Sequence, residues 1–233
     1  MSFSYLIPML LLHCFMAGSA TAAVRNLTTD QSALLAFKAH VSDPRGVLAD
    51  NWSISYPVCS WIGISCGARR HRITTFNLSH MSLGGTVPPH IGNLSFLMYL
   101  DISENNFRGY LPNELGQLRR LKFLGFAYND LTGSFPSWIG VFSKLQVLSL
   151  RNNSFTGPIP NSLFNLSSLV RLDSRFNSIS GNIPSKIGNL SKLVHLNFAD
   201  NNLRGMFRFH LVFLKHTYLQ LHACLEIAFL KHF

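Results

Sequence analysis

Three arginines near the middle of the chain have the residue type and the spacing to bind an anion. Arg151 and Arg175 occupy the same position in successive periods of a 24-residue repeat, and Arg171 lies just before Arg175. If each period makes one structural unit, the two guanidinium groups lie on adjacent strands, where like charges repel unless an anion lies between them. Guanidinium groups bind carboxylates through paired hydrogen bonds, so the pattern predicts a site for a peptide's terminal carboxylate. Asp173 is an alternative partner that would neutralise the cluster.

Four aromatic residues extend this candidate ligand-binding surface. They occupy the variable positions of a recurring Leu-x-x-Leu-x-Leu-x-x-Asn pattern, whose side chains point away from the core. Large aromatic side chains at exposed positions are typical of protein-binding surfaces. The predicted binding set therefore joins the three arginines to Tyr99, Phe123, Tyr128 and Phe176.

The chain lacks the residue patterns that catalysis would require. It has no Gly-rich phosphate loop, no Val-Ala-Ile-Lys, no His-Arg-Asp and no Asp-Phe-Gly, which together mark a protein kinase. Its C-terminal histidines are too scattered for a metal site. We expect no catalytic residue, no cofactor and no metal, and a protein that is not an enzyme.

The candidate residues are positioned by the 24-residue repeat, which runs without a gap from 71 to 205. Such periods are the signature of stacked repeat units, and this one lies in the leucine-rich range. Five repeats are complete, and a sixth fails after Gly205, where Arg208 replaces the expected proline. The glycine and asparagine columns are Gly85, Gly109, Gly133, Gly157, Gly181 and Gly205, and Asn105, Asn129, Asn153, Asn177 and Asn201.

Each unit is predicted to contribute one short parallel strand that packs against its neighbours. The asparagine side chain both donates and accepts, so it can satisfy backbone groups where the chain turns. One unit departs from the pattern, because Ser174 replaces the inward apolar residue that is Leu150 in the preceding unit. The lost burial is expected to cost about 1–3 kcal/mol.

Residues 1–22 are typical of a secretory signal, with an apolar run followed by small residues and cleavage expected after Ala22. A membrane anchor is the alternative, but the apolar run is too short to span. We therefore expect the secretory pathway and an extracellular, apoplastic location. Seven Asn-x-Ser/Thr sequons agree with export, and they are Asn26, Asn51, Asn77, Asn93, Asn152, Asn165 and Asn189.

The net charge is +10, from 20 basic and 10 acidic residues, and most of it is spread along the repeats. A nucleic-acid partner is not expected outside the cell. An acidic polysaccharide or an acidic peptide is physically reasonable, and so is ordinary solvated surface charge.

Residues 23–70 are predicted to form an N-terminal cap, because a solenoid needs an end piece that covers its first repeat. Thr28 and Gln31 form a capping-box pattern that predicts a helix starting at Thr28. Apolar residues at helical spacing extend this helix to Val41.

The second half of the cap holds two tryptophans and two cysteines. In an oxidising compartment Cys59 and Cys66 are free to pair, and the bond would close a short loop against the first strand. Trp52 and Trp61 are expected to pack inside the cap.

The cap and the repeats resemble plant leucine-rich-repeat receptor-like kinases. The repeat hallmark stands here as Asn-Asn-Ser-Phe-Thr-Gly-Pro-Ile-Pro at 152–160. The cap resemblance is carried by Asp30, Leu34, Leu35, Phe37, Lys38, Asp43, Pro44, Trp52, Cys59, Trp61, Gly63 and Cys66. Residues 78–97 resemble the opening repeats of the subfamily that contains flagellin, elongation-factor and disease-resistance receptors.

The resemblance implies an α/β solenoid, a right-handed leucine-rich-repeat superhelix with short parallel strands on its concave face and a helical N-terminal cap. It also implies a second short strand near residues 83–87 and at the equivalent positions of the other repeats. The implied function is a non-catalytic recognition ectodomain that binds a peptide or protein ligand, or a co-receptor ectodomain. The alternative is a complete small secreted binder, similar to polygalacturonase-inhibiting proteins or to short co-receptors.

The tail at 206–233 departs from the repeat and contains no residue run that would form a transmembrane helix. Two interpretations remain open. A truncated gene would supply residues without a role, whereas an improvised cap would place a helix over the last repeat. The helical stripe is Phe207, Leu211, Leu214, Tyr218, Leu221, Leu225 and Ala228.

Overall fold

The computed structural model describes residues 27–204 and the backbone of residues 218–220. The predicted signal segment at 1–22, the sequon Asn26 and most of the tail lie outside the described residues. Within the described ranges, no helix has the length and apolar character that crossing a membrane requires.

The described elements are one α-helix, short strands and one turn of 3-10 helix in each repeat. Helix α1 covers residues 27–40. The strands are β1 Val41–Ser42, β2 Ile64–Cys66, β3 Ile73–Asn77, β4 Gly84–Gly85, β5 Tyr99–Asp101, β6 Asn106–Gly109, β7 Phe123–Gly125, β8 Asp130–Ser134, β9 Val147–Ser149, β10 Ser154–Pro158, β11 Arg171–Asp173, β12 Ser178–Gly181, β13 His195–Asn197, β14 Asn202–Leu203 and β15 Tyr218–Gln220. The 3-10 helices are Val58–Ser60, Pro89–Asn93, Asn113–Gln117, Ser137–Val141, Asn161–Asn165 and Ser185–Asn189.

The strands form two sheets along the repeat axis. The front sheet has eight strands in the order β15-β13-β11-β9-β7-β5-β3-β2, and the flank sheet has seven in the order β1-β4-β6-β8-β10-β12-β14. All pairs are parallel except β2 with β3 and β1 with β4, the two pairs that join the cap to the repeats. The predicted parallel strands and the second short strand in each repeat are both confirmed.

The asparagine column satisfies the backbone between layers, as its chemistry predicted. The Oδ1 atom of Asn105 accepts from the N–H of Leu83 at 2.9 Å, and its Nδ2 donates to the carbonyl oxygens of Leu78 at 2.7 Å and Ile102 at 3.0 Å. The carbonyls of Leu78 and Ile102 belong to successive layers, so one side chain ties two layers together. Equivalent bonds are made by Asn129, Asn153, Asn177 and Asn201.

The core is a continuous column of leucine, isoleucine and phenylalanine between the two sheets. Ser174 lies in that column and is fully buried. Its hydroxyl has no hydrogen-bond partner in the described part of the chain. The predicted loss of apolar burial is therefore real, and a buried unpaired hydroxyl adds a desolvation cost of about 1–3 kcal/mol.

The cap is held by stacked rings and by one disulfide. The Trp52 and Trp61 rings stack with centroids 5.3 Å apart, and both side chains are buried. Each indole N–H donates to a backbone carbonyl of the same loop. Cys59 and Cys66 are bonded, with Cα atoms 5.5 Å apart. The predicted packing of the tryptophans and the predicted disulfide are both confirmed.

A buried ion pair joins α1 to the first strand of the repeats. The Arg72 guanidinium donates two hydrogen bonds to the Asp30 carboxylate, both at 2.7 Å. The same carboxylate accepts from the backbone N–H of Ile73 at 3.1 Å. Because both side chains are almost fully buried, the contact is a specific lock between cap and solenoid rather than a surface pair.

Three sequence predictions about elements were wrong. Residue 27 is already helical, so the capping-box pattern at Thr28 does not mark the start of α1, and Val41 lies in β1 rather than in the helix. In the tail, Tyr218–Gln220 is a strand that pairs in parallel with β13, so the helical stripe is broken there. The signal was present, because Leu219 aligns with Leu196 and begins the same Leu-x-apolar alternation.

Candidate ligand-binding surface

The outward face of the front sheet carries an aromatic pair on β5 and β7. The Tyr99 and Phe123 rings stack face to face, with centroids 4.2 Å apart and planes inclined by 9°. The Tyr99 hydroxyl donates to Asp101 Oδ2 at 3.3 Å. A Cβ atom at Gly125 would collide with both the Asp101 carboxylate and the Phe123 ring, so glycine leaves the space that this cluster occupies.

The surroundings of Tyr99 stabilise its neutral form. Burial raises its pKa above the usual 10.0, and the negative charge of Asp101 and the hydrogen bond to it raise it further. All three effects favour the neutral phenol. Tyr99 therefore remains a hydrogen-bonding, uncharged group at any physiological pH.

A second cluster alternates rings and guanidinium groups across β7 to β11. The Arg151 guanidinium carbon lies 4.7 Å from the Tyr128 ring centroid and 5.7 Å from that of Phe176. Arg175 lies 5.9 Å from the Phe176 centroid. Cations over ring faces are attracted by the ring quadrupole, so this aromatic–arginine cluster is preorganised before any ligand arrives.

Asp173, the alternative partner predicted for the arginines, pairs with one of them in the structure. Asp173 accepts from the backbone N–H of Arg175 at 3.2 Å and pairs with its guanidinium at 3.4 Å. Arg175 is thus partly neutralised, whereas Arg151 forms no ion pair with a described residue. Arg171 is exposed on β11, beside a shallow pocket of about 230 Å³ that Asp173, Arg175 and His195 also line. The anion site remains a prediction, now centred on Arg151.

One column of this surface has left-handed backbone. These residues are His80, Glu104, Tyr128, Asn152, Phe176 and Asp200, with φ between 53° and 60°, and all except His80 are followed by a member of the asparagine column. Asparagine and aspartate tolerate this conformation, but bulky residues seldom adopt it. Aromatic side chains at Tyr128 and Phe176 are therefore costly for the fold, which makes them candidates for a role in binding.

Not every outward position is accessible. Asp101, Gly125, Ala127 and Ala199 occupy variable positions of the Leu-x-x-Leu-x-Leu-x-x-Asn pattern, yet all four are buried. The seven predicted binding residues are all at least partly exposed, with Phe176 the most exposed aromatic among them at 43%. The accessible surface is therefore narrower than the repeat pattern alone suggests.

The predicted sequons fall into two structural groups. The Asn51 side chain bonds to the backbone of Ser60 and Ile62, and the Asn77 side chain accepts from Ser79, so both amides serve the fold. The others in the described range are exposed, and they are Asn93, Asn152, Asn165 and Asn189. Glycosylation at all of these positions remains a prediction.

Sequence reasoning missed a stack of arginines on a phenylalanine ring, beside the start of the front-sheet strands. The Phe96 ring lies 4.1 Å from the guanidinium carbon of Arg120, 4.6 Å from that of Arg72 and 5.5 Å from that of Arg70. The signal was available, because Arg72, Phe96 and Arg120 occupy the same position in three successive repeats. Reading that column across repeats would have placed the three side chains together.

Comparison with known proteins defines the class. The family described as leucine rich repeat N-terminal domain matches residues 27–67, and the family described as leucine rich repeat matches 72–94, 96–118 and 144–166. With two sheets of stacked 24-residue units behind a disulfide-bonded cap, the chain is a leucine-rich-repeat protein.

Its relatives are plant receptors. The LRR receptor-like serine/threonine-protein kinase EFR of Arabidopsis thaliana is 49% identical over 81 residues, 34% of this chain and 8% of that protein. A chain in the Arabidopsis BIR3–SERK2 complex is 31% identical with a TM-score of 0.66, covering 74% of this chain and 94% of that one. The Arabidopsis HAESA ectodomain, solved with an IDA peptide hormone ligand, is 33% identical with a TM-score of 0.61, covering 76% and 34%. The chain belongs to the leucine-rich-repeat ectodomains of plant receptor-like kinases.

Proposed function

We propose that this chain is a non-catalytic, extracellular recognition module that binds a peptide or protein ligand, or a co-receptor ectodomain, on the front sheet. The observation that carries the proposal is the placement of Tyr128 and Phe176 in left-handed backbone, with the Arg151 guanidinium against both rings. Such an arrangement costs folding energy and gives a rigid, half-exposed surface of rings and cations. Rings and arginines dominate the binding energy of protein interfaces.

The relatives agree with this proposal. One structural neighbour was solved with a peptide hormone and another is a complex of two proteins. The matched segment spans 8% of the length of EFR. A membrane-anchored receptor with a cytoplasmic kinase, acting in immune or developmental signalling, is therefore part of the proposal and not an observation.

The test is a peptide selection against the chain expressed through a secretory host, followed by affinity measurements on the selected peptides. Tyr128→Ser and Phe176→Ser should each weaken binding about tenfold or more, because each removes an anchoring ring. Tyr56→Ser is the matched control, since Tyr56 is a 49% exposed aromatic in the cap, away from the front sheet. Equal affinity of all three variants for the selected peptides would refute the proposed surface.

The anion site within this surface has its own test. If a peptide carboxylate docks on Arg151, then Arg151→Ala should lose affinity for peptides with a free C-terminus and keep its affinity for the amidated forms. Arg171→Ala and Arg175→Ala should have smaller effects, since Arg171 stands in solvent and Asp173 already pairs with Arg175. Identical losses for free and amidated peptides would leave Arg151 as a ring-positioning residue only.

A further inference from the structure

One edge of the front sheet carries cations without acidic residues. Six short segments lead into its strands, at 67–72, 93–98, 117–122, 141–146, 165–170 and 189–194, and none contains an aspartate or a glutamate. Their exposed lysines and arginines form what we call the basic edge, namely Arg69, Arg70, Arg119, Arg120, Lys122, Lys144 and Lys192. None of these seven forms an ion pair with a described residue.

Backbone hydrogen bonds hold the basic edge in register. The N–H of Lys122 donates to the carbonyl of Met98 at 2.8 Å, and the N–H of Gln146 donates to the carbonyl of Lys122 at 2.8 Å. The same bond continues to residues 170 and 194. Successive layers are about 4.8 Å apart, so the cations of segments 67–72, 117–122, 141–146 and 189–194 lie along the solenoid axis, while segments 93–98 and 165–170 contribute none.

The opposite edge of the same sheet is different. The segments that leave the strands contain Glu104, Asp130 and Asp200 together with Arg151 and Arg175. Acidic and basic groups are mixed there, as on an ordinary solvated surface. The net charge of the chain therefore does not explain why one edge has cations alone.

The row is preorganised where it is densest. Arg120 lies against the Phe96 ring, and Arg70 lies further from the same ring. Stacking uses the flat face of a guanidinium and leaves its N–H edge available for hydrogen bonds. Arg72, the third arginine on that ring, is ion-paired with Asp30. Of the three, Arg70 and Arg120 are therefore the ones whose guanidinium groups are open to a ligand.

We propose that the basic edge binds a linear acidic polysaccharide with one carboxylate on each sugar, separately from the ligand-binding surface of the front sheet. A linear polyanion matches an edge that carries seven exposed cations, in four of its six segments, and no carboxylate. Serine hydroxyls lie between the cations and suit the hydroxyl groups of a sugar, and they belong to Ser143, Ser167 and Ser191. At the two adjacent layers that both carry cations, 117–122 and 141–146, the spacing is about 4.8 Å, and an extended acidic peptide fits less well there since its carboxylates on one side recur only about every 6.6 Å.

The sequon pattern leaves this row accessible. Asn93, Asn165 and Asn189 share one column beside the basic edge, whereas the two repeats between them have Gln117 and Val141 at that position. Arg119, Arg120, Lys122 and Lys144 lie in those two repeats. A glycosylated chain would therefore carry no glycan at that column in the two repeats that hold these four cations.

The test measures binding of a fluorescent galacturonic acid oligomer to the full chain, secreted and glycosylated. A triple variant with Arg70→Gln, Arg120→Gln and Lys122→Gln should bind about tenfold more weakly, because three charge-assisted contacts are lost. The control removes the same charge elsewhere, with Arg45→Gln, Arg108→Gln and Lys186→Gln, all exposed. It should change affinity by about twofold at most, and binding to the wild-type chain should weaken steeply as salt is added.

Several outcomes would overturn the proposal. Equal losses in the two triple variants would mean that net charge alone attracts the oligomer. Polyglutamate of equal charge binding as tightly would make the edge an acidic-peptide surface, and failure of the wild-type chain to bind the oligomer would remove the site altogether.

Should the first triple variant misfold by circular dichroism, Arg119→Gln with Lys144→Gln tests the same row without touching Phe96. The front-sheet variants Tyr128→Ser and Phe176→Ser should bind the oligomer normally, so the two proposals fail independently.

Discussion

The cap and the layer around Ser174 bury side chains in opposite ways. In the cap, two stacked tryptophans, a disulfide and the Asp30–Arg72 pair satisfy every polar group that they bury. In the Ser174 layer, a serine occupies a fully buried core position and its hydroxyl has no partner among the described residues. The first region is tied together by contacts within the cap and by one pair to the first repeat, and the second depends on its neighbours.

The difference matters because a solenoid is quasi-one-dimensional. Each layer contacts only the layers beside it, so stability is a local sum and a weak layer is not rescued by a distant strong one. We therefore expect unfolding to begin near Ser174 and to reach the cap last. Four sets of variants test this contrast.

The largest effect is expected at the buried ion pair. Arg72→Ala leaves the Asp30 carboxylate buried with a single backbone donor, and such unpaired burial costs about 3–5 kcal/mol. Urea unfolding followed by circular dichroism would measure it. Arg70→Ala, an exposed neighbour, should change stability by less than about 0.5 kcal/mol. Equal effects of the two substitutions would mean that the cap is not locked by this pair.

Removal of the disulfide should come second. With both Cys59→Ser and Cys66→Ser, the cap loses a short closed loop, and chain entropy predicts a loss of about 2.5 kcal/mol. Thermal unfolding with and without a reductant would measure the loss in the wild-type chain. The double variant serves as its own control, because its midpoint should not respond to the reductant. A wild-type midpoint that also ignores the reductant would contradict the prediction.

A substitution at Ser174 should raise the stability of the chain, whereas the substitutions in the cap lower it. Ser174→Leu restores the apolar residue of the other repeats and removes an unpaired hydroxyl, so the free energy of unfolding should rise by about 1–2 kcal/mol. Ser178→Leu, at an exposed position of β12, should have no such benefit. If Ser174→Leu destabilises the chain, neighbouring side chains have already closed the space, and the layer is not the weak one.

The smallest effect is a pH dependence at Tyr99. Its pKa is raised above 10.0 in the folded chain, so folding favours the neutral phenol. This contribution is fully present below the unfolded pKa and is lost as the pH rises through the raised folded pKa. The alkaline loss of stability should therefore be shallower in Tyr99→Phe than in the wild-type chain. Tyr56→Phe, at an exposed position, should not reproduce that change; if it does, the effect does not belong to Tyr99.

The repeat made most of the fold predictable. A 24-residue period determines which side chains face inward, and the two-way hydrogen bonding of asparagine explains why Asn105 and its equivalents recur. The disulfide was predictable because Cys59 and Cys66 are close in sequence and flank a cap that needs closure. Such features depend on local spacing, which a sequence displays directly.

Contacts between columns were not predictable in the same way. The space that Gly125 leaves for the Tyr99–Phe123 stack is not displayed by the spacing, although those two rings share one column on adjacent strands. The Asp30–Arg72 lock joins residues 42 positions apart, and no period relates them. The helix prediction was wrong at Tyr218–Gln220. The apolar spacing there suits a helix, whereas β13 offers a strand edge with which these residues pair.

The left-handed column bears on how such receptors could change. In five of the six layers the next residue is an asparagine, whose bonds to the backbone do not involve the left-handed side chain. Six residues with different side chains, from His80 to Asp200, already occupy that column in one molecule without altering its layers. If the proposed surface binds the ligand, recognition and folding are encoded at adjacent but separate registers. A new ligand specificity can then be acquired by exchanging residues in one register while the other continues to dictate the same architecture.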